Sequence, residues 1–303
     1  MNLLITGAWA GASAYFAQIE SMGHTVLFME QEKEPLPCAY EWVEGVVCNG
    51  LFLHHSISLF INLRYIQLTS AGYDRIPMEE ITKHGIEIHN ARGVYSIPMA
   101  EFAIAGVLDL YKSMGQFREQ QKRHSWVKNR RLRELYGSRV IIVGCGSVGT
   151  ECAKRFRAFG CEVVGVDELA GTSKILMQQK DFDMIVSPVQ LDEVLVQADV
   201  VILTLPLTDY TRGMIDKRRL QIMGENCILV NVSRGAVVDH GALEKWNGLA
   251  VLDVFEKEPL DQNNPIWEKE NMIITPHNSF VGNGNAERLN KLILETLRKA
   301  VDR

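Results

Sequence analysis

Short β-rich runs alternate along the chain with amphipathic stretches. Asn2–Thr6, His24–Met29, Val46–Cys48 and Tyr65–Thr69 read as strands, and Ser13–Met22 reads as a helix ending at Gly23. Strands alternating with helices imply a parallel sheet with helices on its faces. Residues 98–120 follow as one long helical pattern. Pro98 suits its first turn and Glu101 its positive end, and Phe102, Ala105, Val107, Leu108 and Tyr111 make much of its surface apolar. A new strand–helix–strand pattern begins at Val140, and the alternation runs to about Ile274. A last amphipathic helix covers 286–301, with Leu289, Leu292, Ile293 and Leu297 on one face.

At roughly 150 residues per domain, 303 residues predict about two domains. The fold class expected is α/β, with two Rossmann-like doubly wound parallel-sheet domains and a cleft between them. The long helix at 98 marks the crossing, and its apolar faces point to a homodimer. Apolar residues make up 47% and charged residues 23%, which excludes disorder, collagen or coiled coil as readings of the whole chain.

The net charge of −5 argues against a broad grip on nucleic acid. Lys122, Arg123, Lys128, Arg130, Arg131, Arg133 and Arg139 cluster around Trp126, and in an acidic chain they read as a solvated connector rather than a phosphate patch. No apolar run approaches the roughly 18 residues of a membrane span, and no basic segment precedes an apolar one at the N-terminus. The six cysteines form no C-x-x-C pair and no zinc spacing with histidines, so reduced thiols, a cytoplasmic location and no metal are expected.

One motif has its full context. Val140–Val143 leads into Gly144-Cys145-Gly146-Ser147-Val148-Gly149, a helical pattern runs to Gly160, and a second strand, Glu162–Val166, ends at Asp167. Asp167 stands 18 residues beyond Gly149, close to the spacing of a dinucleotide fingerprint. Gly144 allows the tight turn, Gly146 lets backbone approach a pyrophosphate, and Gly149 lets the helix pack near the strand. The helix N-terminus, from Ser147 and Val148 on, offers N–H groups to the phosphates. Asp167 would accept from a ribose hydroxyl and repel a 2′-phosphate, so NAD (NADH) is expected over NADP. A second glycine turn, Thr6 to Ser13, resembles that of short-chain dehydrogenases but lacks its final glycine, and the chain contains no Tyr-x-x-x-Lys.

Three strand-like segments end in chemistry-bearing residues. They are Asn231-Val232-Ser233-Arg234-Gly235, Leu252-Asp253-Val254-Phe255 with Glu258-Pro259, and Thr275-Pro276-His277. In open α/β sheets, ligands bind beyond the carboxyl ends of strands. Together with Ser70-Ala71-Gly72-Tyr73-Asp74, Asn90-Ala91-Arg92-Gly93, Ala100-Glu101 and Leu205-Pro206-Leu207-Thr208, these segments follow the order of a known family. The chain resembles the D-isomer-specific 2-hydroxyacid dehydrogenases over nearly its whole length.

The resemblance implies roles. His277 would be the general acid for reduction of a 2-keto acid, and Glu258 would pair with it and favour the imidazolium. Arg234 would hold the substrate carboxylate, with backbone N–H groups of Ala71 and Gly72 on its other side. Asp253 would orient the nicotinamide amide, and Leu205, Pro206, Val232 and Ser233 would line the cofactor. Residues 1–97, completed by a C-terminal helix at 280–303, would form the substrate-binding domain, and 98–279 the NAD-binding domain. The partner is then a small 2-keto or 2-hydroxy acid. Glu258 argues against formate dehydrogenase activity, because those enzymes carry glutamine there. The alternative is a non-catalytic NAD(H)-sensing protein of the same fold, for which a lost His–Glu–Arg set would speak; all three residues are present. The stretch 241–249 looks shorter than usual in the family, and Asn278-Ser279-Phe280 replaces its commoner small apolar run.

Overall fold

A computed structural model describes residues 1–172 and 180–300. The chain divides into two compact units, Met1–Tyr95 with Gly282–Arg303, and Ser96–Val281. In the first, β1 (Asn2–Thr6), β2 (Thr25–Met29), β3 (Gly45–Cys48), β4 (Tyr65–Leu68) and β5 (Glu87–His89) form a parallel sheet in the order β2-β1-β3-β4-β5. The helix expected at Ser13–Met22 begins as a 3-10 turn, Ala12–Tyr15, and becomes α1 over Phe16–Ser21. A second helix, α2 (Met78–His84), ends at left-handed Gly85, φ 63. Each inner strand is buried on both faces. Leu4 packs with Val46 and Ile66 on one side, while Leu3 and Ile5 pack with Val47 and Tyr65 on the other.

The second unit opens with α3 (Ser96–Tyr111) and α4 (Met114–Lys122). The single helix expected over 98–120 is thus two, broken at Lys112 and Ser113. Ser113 takes φ 49, and Lys112 Nζ turns away to the Arg133 carbonyl at 2.6 Å. The break falls where the apolar face ends, since Tyr111 is buried whereas no residue of α4 is. The apolar face of α3 is taken up inside its own unit. Ala100, Ala103, Ile104 and Val107 join the core, and a Cβ on Gly106 would lie 2.7 Å from Val251.

Strands β6 (Arg139–Val143), β7 (Glu162–Val166), β8 (Met184–Val186), β9 (Val200–Leu203), β10 (Ile228–Asn231), β11 (Leu249–Leu252) and β12 (Met272–Ile274) form a parallel sheet in the order β12-β11-β10-β9-β6-β7-β8. Between them lie α5 (Ser147–Ala158), α6 (Leu191–Leu195), α7 (Lys217–Met223) and α8 (His240–Lys245). Alternate residues feed two cores, Ile141 and Val143 into one, Val140 and Ile142 into the other. Three members of the basic stretch are paired, Lys122 with Glu119 on its own helix. Arg133 lies over the Tyr111 ring and beside Asp199, and Arg139 pairs with Glu162.

The chain then returns to the first unit in α9 (Asn285–Lys299), whose Leu289, Ile293 and Leu297 are buried against Leu3, Ile5 and Trp9. Trp9 Nε1 donates to Asn290 Oδ1 at 2.7 Å, and Thr296 Oγ1 donates to the buried Gln67 Oε1 at 2.8 Å. No helix among the described residues is long and apolar enough to cross a membrane.

Candidate active site

In the second unit's sheet the chain starts at β6, runs to β7 and β8 on one side, and comes back to β9 on the other. The gap between β6 and β9 is therefore a switch point, where ligands of open α/β sheets bind. The glycine motif sits there. Gly144 has φ 100, accessible to glycine at little cost, and its amide donates to the Val166 carbonyl at 2.8 Å. A Cβ on Gly149 would stand 2.0 Å from the Gly144 carbonyl oxygen, so only glycine lets α5 start this close to the turn. Gly146 caps α5 without a side-chain hydrogen bond, which leaves the first amides of a twelve-residue helix uncapped among the described residues. Those amides and the positive helix end suit a pyrophosphate.

Asp167 closes the cradle from the end of β7. Its Oδ2 accepts from the Cys145 amide and its Oδ1 from the Leu169 amide, each at 2.9 Å. Across the switch point, Thr204 Oγ1 donates to the Gly144 carbonyl at 2.7 Å, which brings buried Leu205 and exposed Pro206 beside the turn. The residues present fit a dinucleotide: a side-chain-free turn, uncapped amides and a carboxylate at the second strand's end. Cys145 is not a reactive thiol. Burial, aided by the nearby Asp167 carboxylate, pushes it far up.

The other candidates follow the aligned ends of three neighbouring strands, β10, β11 and β12, with Asn231 beside Leu252 and Leu252 beside Ile274. Asn231 is buried and shapes the turn to Arg234. Its Oδ1 accepts from the Ser233 amide at 3.1 Å and from Ser233 Oγ at 2.8 Å, and its Nδ2 donates to the Arg234 carbonyl at 3.0 Å. Arg234 Nη1 donates to the Ser233 carbonyl at 2.8 Å. Val232 and Ser233, expected to line the cofactor, are both buried, Val232 among core side chains. At Gly235 a Cβ would come within 1.9 Å of the Phe255 carbonyl carbon, so the Arg234 turn lies directly on the segment leading to Glu258.

His277 and Glu258 meet. His277 Nδ1 is 2.8 Å from Glu258 Oε2, while Glu258 Oε1 accepts from the Phe255 amide at 3.0 Å. An ionised carboxylate only accepts, so Nδ1 carries a proton and Nε2 is left for other chemistry. The Phe280 ring stands edge-on to the imidazole, with centroids 5.9 Å apart. Beside the pair is a cavity of about 420 Å³, walled by Phe255, Leu260, Trp267 and Pro276. Asp253 is fully buried, and both its oxygens accept hydrogen bonds from the turn that carries His277.

In the first unit, Ala71 is exposed and Gly72 half-buried in a turn held by Ser70 Oγ, which donates to the Gly72 carbonyl at 3.1 Å, and by Asn90 Nδ2, which donates to the Ala71 carbonyl at 2.6 Å. The N-terminal glycine turn leads only into the six-residue α1, and Trp9 within it fills the core. Sequence reasoning missed Asn231, Thr204 and Thr275 as scaffolding. Their one signal is a polar residue at or just beyond the end of an apolar strand.

The profile of the D-isomer specific 2-hydroxyacid dehydrogenase NAD-binding domain matches residues 104–279. A glyoxylate reductase of Korarchaeum cryptofilum is 33% identical over 247 residues, covering 78% of this chain and 72% of that protein. A D-3-phosphoglycerate dehydrogenase of Methanocaldococcus jannaschii is 30% identical over 245 residues, covering 79% of this chain but 46% of that longer protein. Among solved structures, a D-isomer specific 2-hydroxyacid dehydrogenase family protein from Aeromonas salmonicida superposes with a TM-score of 0.81 at 26% identity, covering 99% of this chain and 96% of that one.

Proposed function

Since the chain belongs to the D-isomer-specific 2-hydroxyacid dehydrogenase family and carries its NAD-binding domain, we propose that it interconverts a small 2-keto acid and the D-2-hydroxy acid, with His277 as acid and base. The observation that carries this is the 2.8 Å contact between His277 and a Glu258 itself held by the Phe255 amide. The reaction balances as keto acid, NADH and a proton giving hydroxy acid and NAD⁺. NADH, when bound, supplies the hydride that the keto carbon accepts.

The remaining steps belong to this chain. Glu258 holds the Nδ1–H of His277, so the imidazolium, which has taken up a second proton from solvent at Nε2, presents that Nε2–H to the keto oxygen and gives up that proton there, leaving the neutral ring with Nδ1–H. Arg234 holds the substrate carboxylate with a planar fork of donors and polarises the keto group. The Gly144–Gly149 turn and the start of α5 take the pyrophosphate, and Asp167 takes the adenosine ribose.

Glyoxylate heads the substrates to test, because several relatives bear the name glyoxylate reductase. The proposal includes a cytoplasmic enzyme, in keeping with six free thiols, and a homodimer. Support for the dimer comes less from α3 than from the segment after α4, where Trp126 is 96% and Tyr136 79% exposed. The test is NADH oxidation against a panel of 2-keto acids, with His277→Ala alongside. Turnover of one acid, reduced about 10²- to 10⁴-fold in His277→Ala while NADH still binds, is the expected result. NADH binding without turnover of any acid would move the reading to a sensing protein of this fold.

A further inference from the structure

A fully buried carboxylate needs hydrogen bonds in place of water, and Asp253 finds three from a single turn. Thr275 Oγ1 donates to Oδ1 at 2.7 Å, the Asn278 amide to Oδ1 at 2.8 Å, and the Ser279 amide to Oδ2 at 2.8 Å. At the middle of that turn is His277, whose own amide donates to the Asp253 carbonyl at 2.8 Å. His277 has φ 51, in the left-handed region that non-glycine residues rarely occupy. A backbone kept there must be over-determined by its surroundings. Successive amides beyond a left-handed residue can converge on one anion, and here the anion is the Asp253 carboxylate.

We propose that Asp253 is a positioning residue, whose carboxylate holds the 275–279 turn so that the His277 ring meets Glu258 and presents Nε2 to the reacting oxygen. This rests on the acid–base role proposed for His277. Family resemblance puts the same carboxylate against the nicotinamide amide, and the two roles differ in what a variant loses. An aspartate that serves the cofactor loses NADH affinity when changed. An aspartate that serves the turn keeps NADH affinity and loses proton transfer. Asn231 is a precedent one strand away, since it gathers the Ser233 amide and hydroxyl and so shapes the turn that carries Arg234.

Asp253→Asn keeps the side chain's size but turns one acceptor into a donor facing other donors. Three readouts follow: NADH affinity by fluorescence titration, kcat and KM for an accepted 2-keto acid, and the ¹⁵N resonances of the His277 ring, assigned by their loss in His277→Gln. In Asp253→Asn the NADH Kd is expected to stay within about threefold, while kcat falls about 100-fold and KM changes less. The His277 ring is expected to lose its single Nδ1-protonated signature and average between tautomers. Thr275→Val removes one of the three donors and is expected to do the same to a smaller extent; it carries the test if Asp253→Asn does not fold. An NADH Kd raised about tenfold or more, with unaltered His277 resonances, would overturn the proposal. If the wild type reduces no 2-keto acid, the acid–base reading falls, and the ring resonances still decide whether Asp253 positions the turn.

Discussion

Two hydrogen bonds from backbone amides engage the Asp167 carboxylate, so the residue shapes the glycine turn, and the ribose contact proposed for it would use the same side chain. Its charge is also what a 2′-phosphate would meet. Asp167→Ala is expected to raise the ratio of kcat/KM for NADPH over NADH by about tenfold or more, by removing a like-charge contact. Steady-state kinetics with both cofactors check this, and an unchanged ratio would remove Asp167 from the discrimination. The cysteines are a contrast at this scale. Burial pushes Cys152 and Cys227 up to about 12 and Cys161 to about 11, so these thiols are packing groups. His277, Glu258 and Arg234 were legible as residues because their neighbours in sequence are distinctive. The work of Asp253 was not, because its partners lie 22 to 26 positions away.

The strand–turn–helix from β6 through α5 was readable because its constraints are local. A turn this tight needs Gly144 at φ 100, and the closing contact between Gly149 and the Gly144 carbonyl spans five residues. Gly149→Ala forces α5 off the turn. A loss of about 1–3 kcal/mol in a urea melt is expected, with weaker NADH binding in titration. Wild-type affinity in that variant would mean the turn gives way without cost. The break between α3 and α4 was not readable. Helical periodicity continues through Lys112 and Ser113, and the stop is imposed by the Arg133 carbonyl, some twenty residues on, and by an Asn129 amide reaching Ser113 Oγ at 3.3 Å.

At the scale of the chain, the first unit is closed by its last helix. His24, just before β2, is buried with Nε2 3.3 Å from the Leu297 carbonyl in α9, and its Nδ1 has no hydrogen-bond partner among the described residues. Burial lowers its pKa, with the N-terminal amine and Arg64 adding to the effect. The unfolded chain therefore takes up a proton at the ordinary value of about 6.5 that the folded unit resists. This contribution to stability is complete above about pH 6.5 and is lost as the pH falls through the folded value. Denaturant melts between pH 7.5 and about 5 should show this decline, and His24→Gln should flatten it; an unchanged slope would mean the ring protonates freely in the fold. The dimer is tested by light scattering, where twice the chain mass is expected and a single chain mass at working concentration would refute it.

The alternation of strands and helices and the glycine turn with its acid were already written in the chain, in short-range spacing where backbone geometry allows few residue types. Arg234, Glu258 and His277, 24 and 19 positions apart, stood out instead through the resemblance of their segments to a family. Tertiary structure alone decided the sheet orders, the break at Ser113, the return of α9 to the first unit and the hold of Asp253 on the His277 turn. These depend on groups far apart in the chain meeting in a packed interior, where a buried polar atom must find its partner wherever the fold delivers one.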